Sequence, residues 1–200
     1  MSTHKIISIL QRGGVGVLPT DTLYGIVGSA LNKKTVQRIY KLRKRNPKKP
    51  CIVLISSMFD VKIFSVRLGE KDPNILNKLW PGKVSIILPS KDKAFSYLHR
   101  GTKTIAFRLP RSKQLRALLK KTGPLIAPSA NWEGERPAQT IKEAKKYFGD
   151  QVDFYVSAGR RLRMKPSTLV SLRDGKINVL REGAVNIRAT VLFDTSKREG

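Results

Sequence analysis

Two periods run through the apolar positions of this chain. Over Lys5–Arg12, Ile6, Ile7, Ile9 and Leu10 form a helical face, with Ser2 or Thr3 as cap and Gly13-Gly14 as stop. Val15–Leu18 is a strand-length apolar run closed by Pro19. Val36, Ile39 and Tyr40 repeat at helical spacing within Asn32–Arg45, and Pro47 disfavours helix at Asn46. A strand is expected over Cys51–Ser56, then a helix opening at Asp72-Pro73 with Ile75, Leu76 and Leu79 inside, stopped by Trp80-Pro81-Gly82. Val84–Leu88 reads as a strand ended by Pro89, and Lys91–Lys103, which has no period, as an exposed loop. Thr104–Leu109 alternates cleanly, with Ile105, Phe107 and Leu109 on one face. A basic helix over Lys113–Lys121, a strand over Leu125–Ala127, a helix over Ile141–Phe148 capped by Thr140 and a strand over Asp153–Val156 follow. After a basic loop, Ser157–Pro166, which carries Arg160, Arg161, Arg163 and Lys165, Ser167–Leu172 and Lys176–Leu180 pair as a hairpin across Arg173-Asp174-Gly175. With no repeat and no linker, the pattern predicts one α/β domain built on a twisted mixed sheet, over residues 1–188, and a polar tail over 189–200.

Several polar residues interrupt this pattern where ligands bind. Arg43 is the i+7 member of the face of Val36, Ile39 and Tyr40, so a buried stripe turns cationic at its C-terminal end and calls for an anion. The plain alternative, and the usual one for a basic cluster, is that Lys and Arg in the run Lys41–Pro50 cap a helix C-terminus and solubilise a turn. Thr20-Asp21-Thr22-Leu23-Tyr24-Gly25 is a polar insertion, either a ligand-binding edge or a hydroxyl-rich turn. If extended, it points Thr20 and Thr22 to one side and Asp21 to the other. Thr104, Ala106 and Arg108 share the polar face of their strand, where Ala106 leaves room for something to lie across it. Ser129 and Asn131 face the same way just past a buried strand end.

Composition narrows the chemistry. Forty Lys and Arg against 14 Asp and Glu give a net charge of +26, which implies polyanions nearby, either RNA or phosphorylated ligands. Aromatics are sparse and not interleaved with the basic residues as an RNA-stacking platform requires. A single cysteine excludes an internal disulfide, and with His4 and His99 it is too little for a zinc site. No apolar run approaches the ~18 residues of a membrane span, and the N-terminus lacks a cleavage pattern, so a cytosolic protein away from membranes is expected. The candidate cleft residues are Thr22, Arg43, Arg45, Lys49, Thr104, Arg108, Ser129, Asn131, Ser167 and Arg181. They contain no nucleophile–histidine–acid set, but suit a triphosphate and charge transfer at phosphorus.

At these residues the chain resembles the YrdC-like family of threonylcarbamoyl-AMP synthases, in its short single-domain form. The matching segments are Pro19–Gly25, Arg43-Lys-Arg45 with Lys49-Pro50, Leu79–Gly82, Ile105–Pro110, Ala127–Asn131, Ser167–Val170 and Leu180–Gly183, in family order along nearly the whole chain. The resemblance implies a YrdC-like (RibB-like) fold with a basic concave cleft. It implies a nucleotidyltransferase that makes L-threonylcarbamoyladenylate and pyrophosphate from L-threonine, bicarbonate and ATP. That product feeds a downstream threonylcarbamoyl-transferase complex acting at adenosine 37 of tRNA. It places Arg43, Arg45, Ser129 and Asn131 in the phosphate cluster, Lys49, Thr104 and Arg181 on ATP, and Thr22, Arg108 and Ser167 on threonine. Mg2+ would be held mainly by the phosphates. Departures from the family pattern are Arg43 for lysine, Asp21 for glutamate, Leu54 where some members have histidine, Pro166 and Ser171 for acidic residues, and Glu133 and Pro137 for hydroxyl residues. The competing reading is a non-catalytic protein binding tRNA or double-stranded RNA on the basic concave face.

Overall fold

The computed structural model describes residues 1–161, 164–173 and 175–187. Arg163, Asp174 of the expected hairpin turn, the boundary at Arg188 and the expected tail lie outside the described residues. Side-chain oxygens of Ser2, Asn32, Ser112 and Thr140 accept from the first-turn N–H groups of four helices: α1 (Thr3–Gln11), α2 (Lys33–Leu42), α5 (Lys113–Thr122) and α6 (Ile141–Phe148). Each such cap stabilises its helix by about 1 kcal/mol. The remaining helices are α3 (Asp72–Leu79) and the short α4 (Ser96–His99). The strands are β1 (Val15–Pro19), β2 (Tyr24–Ser29), β3 (Ile52–Leu54), β4 (Val84–Pro89), β5 (Thr104–Arg108), β6 (Leu125–Ile126), β7 (Phe154–Tyr155), β8 (Thr168–Arg173) and β9 (Lys176–Arg181).

All nine join one mixed sheet in the order β7-β1-β2-β6-β3-β5-β4-β8-β9. The pairs β1–β7, β3–β5 and β4–β8 are parallel, and the others antiparallel. Alternation along each strand divides its side chains between two faces. Val17, Ile26, Val53, Phe107, Ile86 and Val170 belong to the main core, which α2, α3 and α6 also enter. Leu18, Val27, Leu54 and Leu125 point the other way and pack under Ile6 and Leu10 of α1 and Leu115 and Leu119 of α5. That second layer covers only the β7-to-β3 half. Over β5, β4 and β8 the same face carries Thr104, Ala106, Ile87 and Leu169 and stays open as a trough.

Three features depart from the expected pattern. The residues that follow the polar insertion, for which no element was expected, form β2 and make a hairpin with β1; the glycines there hid an otherwise packed strand. The segment Lys91–Lys103 is not an open loop: a 3-10 turn (Lys93–Phe95) and α4 bury Leu98 and His99. Helix α2 ends at Leu42, not near Asn46, because Lys44 turns left-handed at φ 49°. A second 3-10 turn, Met58–Phe64, was not anticipated.

Candidate functional site

The trough has two lobes that meet at Ile52, Pro128, Ser129 and Arg181. Larger hollows lie beside the 3-10 turn at Met58–Phe64 and between α1 and α5, but none of the ten candidate residues lines either.

The smaller lobe, about 80 Å³, is walled by Thr20, Thr22, Tyr24, Arg108, Pro166 and Ser167. Strand β5 brings Arg108 here on its open face, 3% exposed. Its Nη1 donates to Thr22 Oγ1 at 2.9 Å and lies 3.0 Å from Asp21 Oδ1. The turn between β1 and β2 is not extended: Thr20 Oγ1 donates to Leu23 O at 2.7 Å and lies 3.0 Å from Thr22 Oγ1. The Thr20 proton being spent on Leu23, the Thr22 hydroxyl donates to Thr20 and accepts from Arg108, which leaves one lone pair facing the lobe. The tight turn also brings Asp21 to the same guanidinium, while its Oδ2 accepts from Arg111 N at 2.9 Å. Sequence reasoning missed Asp21 as a site residue, because strict alternation set it opposite the threonines. The signal was a carboxylate in a matched segment that had no assigned partner. Ser167 is 3% exposed, and its hydroxyl pairs with Ser85 at 2.8 Å.

The larger lobe, about 340 Å³, is lined by Arg43, Arg45, Cys51, Thr102 and Thr104 over an apolar floor of Ile87, Ala106 and Leu169. Arg43, the residue that caps α2 in line with its buried face, is 3% exposed. Its Nε donates to Asn131 O at 3.0 Å, and its Nη2 donates to Ser129 Oγ and Asn131 Oδ1, each at 3.3 Å. Its Nη1 has no protein acceptor. Asn131 thus sits behind Arg43: its amide donates to Trp132 O and Glu135 O, so it aims the guanidinium and does not itself line the trough. Arg45 donates from Nε to Lys49 O and from Nη2 to Pro50 O, which shapes the elbow after α2. Thr104 Oγ1 donates to Thr102 Oγ1 at 3.1 Å. Lys49, like Asn131, does not line the trough. Its Nζ pairs with Glu133 Oε1 at 2.8 Å, and the side chain is 62% exposed. That Nζ, followed by the Asn46 N–H, holds the Glu133 carboxyl below its usual range.

Arg181 belongs to both lobes through a β-bulge. Val170 pairs with Val179, yet Leu169 pairs with Arg181, so Leu180 is the extra residue. Val179 faces the core, and unbroken alternation would send Arg181 there too; the bulge turns it onto the trough face beside Leu169. Its Nη2 donates to Ser167 O at 2.8 Å. Gly183 completes this corner. A Cβ there would lie 2.5–2.6 Å from Pro166 O, Ser167 C and Thr168 N, so only glycine lets the chain pass so close behind Ser167.

Burial is the largest influence on Arg43, Arg108 and Arg181, and it lowers the proton affinity of all three. Asp21 opposes the effect at Arg108, while Arg181 adds to it. Arginine stays protonated at neutral pH, so the cost remains as attraction for an incoming anion. No group of three His, Cys, Asp or Glu among the described residues could hold a metal ion. The nearby carboxylates Asp21 and Glu133 are already paired with Arg108 and Lys49, so the trough's donors suit anions and do not fit a protein-held cation. No helix among the described residues is long and apolar enough to cross a membrane.

Comparison with known proteins agrees with this architecture. A threonylcarbamoyl-AMP synthase of Thiobacillus denitrificans is 31% identical over 170 residues, 84% of this chain and 89% of that protein. The crystal structure of E. coli YciO superposes with a TM-score of 0.82 at 24% identity, covering 94% of this chain and 92% of that one. The P. abyssi Sua5 structure complexed with L-threonine gives 0.86 at 23% identity; the match covers 94% of this chain but 57% of that longer one. The Sua5/YciO/YrdC model, described as telomere recombination, matches residues 8–183. The chain belongs to the Sua5/YciO/YrdC family.

Proposed function

We propose that this chain is an L-threonylcarbamoyladenylate synthase, a nucleotidyltransferase that consumes L-threonine, bicarbonate and ATP and releases pyrophosphate. The observation that carries the reading is the pair of unequal lobes meeting at Ser129 and Arg181, the smaller lined by Arg108, Thr22 and Ser167 and the larger by Arg43, Arg45 and Thr104. In the small lobe Arg108, oriented by Thr22 and Asp21, takes the threonine carboxylate through the guanidinium edge that the protein leaves unbonded. The Thr22 lone pair accepts from the ammonium or the hydroxyl, and Ser167 closes the wall. The threonine ammonium loses a proton to solvent and its nitrogen bonds to the bicarbonate carbon with loss of water, giving a carbamate. A carbamate oxygen then attacks the α-phosphorus at the junction, and the bond from that phosphorus to the bridging oxygen of the β-phosphoryl group breaks, releasing pyrophosphate.

Charge accumulates on the departing pyrophosphate, and Arg43 and Arg45 stand ready to offset it, while Arg181 at the junction meets the α-phosphate. Ser129 orients the phosphates, and Asn131 acts through Arg43. Thr104 and the apolar floor accept the nucleoside. Positioning and charge supply the rate, so no general base is required. Lys49 would reach the nucleotide only after leaving Glu133. Mg2+ belongs to this scheme only as part of the nucleotide substrate. The product then serves threonylcarbamoyl transfer to tRNA in the cytoplasm, and the exposed cations Lys33, Lys34, Lys120, Lys121, Lys142 and Lys145 suit a passing tRNA. Purified protein given ATP and bicarbonate should release pyrophosphate only when L-threonine is added. Folded protein that releases none, or releases it equally without threonine, refutes the reading.

A further inference from the structure

Arg100 lies outside every matched motif and has no assigned task. It follows α4, where its N–H donates to Ser96 O at 2.9 Å and its backbone is left-handed at φ 51°. A non-glycine residue holds that conformation at a cost, which makes its placement worth explaining. Its guanidinium carbon lies 4.0 Å from the centroid of the Tyr40 ring, on which Arg45 also bears at 6.0 Å. Its Nε and Nη2 are buried without any acceptor. Its charge acts on both Tyr40 and Cys51, lowering proton affinities that burial raises. Cys51 and Thr102, two residues on from Arg100, both line the larger lobe. Arg43, Arg45 and Arg100 therefore converge around one tyrosine. Glu133, whose charge acts on Arg43, is already engaged by Lys49. Arg100 is half-buried on the Tyr40 ring, and its two buried N–H groups without an acceptor, near like charges, offer a place for an arriving anion.

The direction of the reaction says which part of the anion. Threonine occupies the small lobe, so attack reaches the α-phosphorus from the Ser129 side. In-line displacement then sends the leaving group the opposite way, toward Arg45, Cys51 and Arg100. We propose that Arg100 is a further phosphate-binding residue, holding the β- and γ-phosphoryl groups of ATP and the pyrophosphate they become. The identity of the anion rests on the synthase reading; the polyphosphate site itself does not.

The test is binding of inorganic pyrophosphate, ATP, AMP and L-threonine, measured by calorimetry on wild type, Arg100→Ala and Arg100→Lys, with wild-type turnover measured in parallel. Loss of one charge-assisted contact should weaken pyrophosphate and ATP by about tenfold or more. AMP and L-threonine should be unchanged, and Arg100→Lys should recover part of the loss. Arg100→Ala that binds pyrophosphate like wild type overturns the proposal. Equal weakening of all four ligands also overturns it, since that marks a structural role. Should Arg100→Ala fail to fold, the same comparison between Arg100→Lys and wild type decides, with unchanged pyrophosphate binding counting against. If wild type shows no threonine-dependent turnover yet pyrophosphate binding depends on Arg100, the synthase reading fails and the site stands.

Discussion

Removing Asp21 tests how the small lobe keeps a charge inside the protein. The side chains of Arg108 and Asp21 are 4% and 7% exposed and 3.0 Å apart, so Asp21→Ala leaves a guanidinium buried beside Arg181 with no carboxylate. Breaking a buried pair from one side costs about 3–5 kcal/mol. Arg108 keeps its hydrogen bond to Thr22 and lines the lobe, so the lower end applies. At about 2–4 °C per kcal/mol for a domain of this size, a loss of about 3 kcal/mol lowers Tm by roughly 6–12 °C. Calorimetric melting at low salt, with urea midpoints as a second readout, measures it. The double variant Asp21→Ala with Arg108→Met removes both charges and should regain much of the loss, because a buried pair replaced by apolar groups is often near neutral. Asp21→Ala melting within about 2 °C of wild type, against the shift worked above, would refute the reasoning. So would a double variant no more stable than the single one.

Two other substitutions or treatments probe the larger lobe and its corner. Gly183→Ala pushes a methyl into the backbone of Pro166–Thr168, at about 1–3 kcal/mol of stability; KM for L-threonine should rise as Ser167 and Arg181 shift, and an unchanged KM would contradict the account of that corner. Burial raises the Cys51 thiol pKa, so the native protein should resist a thiol reagent at pH 8 and react fully in denaturant. The sign for stability follows: the native state holds the proton more tightly, so this contribution is intact below the unfolded thiol pKa and shrinks as pH rises above it. Rapid native labelling would contradict this burial of Cys51 in the lining of the lobe.

Most helices and strands were legible in local pattern, because a half-buried element must repeat its apolar residues at its own period. The Ile105–Phe107–Leu109 alternation gave β5 and the polar face of Thr104, Ala106 and Arg108, now the floor and wall of the trough. Arg43 was legible for the same reason, as a cation at a buried helical position. Strand β2 was not, since Gly25 and Gly28 carry no side chain to mark a face, and α4 was not, since four residues show no period.

Composition and motif order along the chain set the chemistry: guanidinium groups, hydroxyls and one amide, matched to anions before any coordinates. Where those groups meet was decided by long-range packing. Helices α1 and α5 cover one half of the sheet face and leave the other bare, which no local period encodes. A single extra residue at Leu180 turns Arg181 from the core to the trough, and pairing between strands, absent from the residue string, makes that choice. Lys49 shows the converse. Its charge was readable, but its partner Glu133 lies 84 residues away, and only the folded chain spends that charge outside the trough.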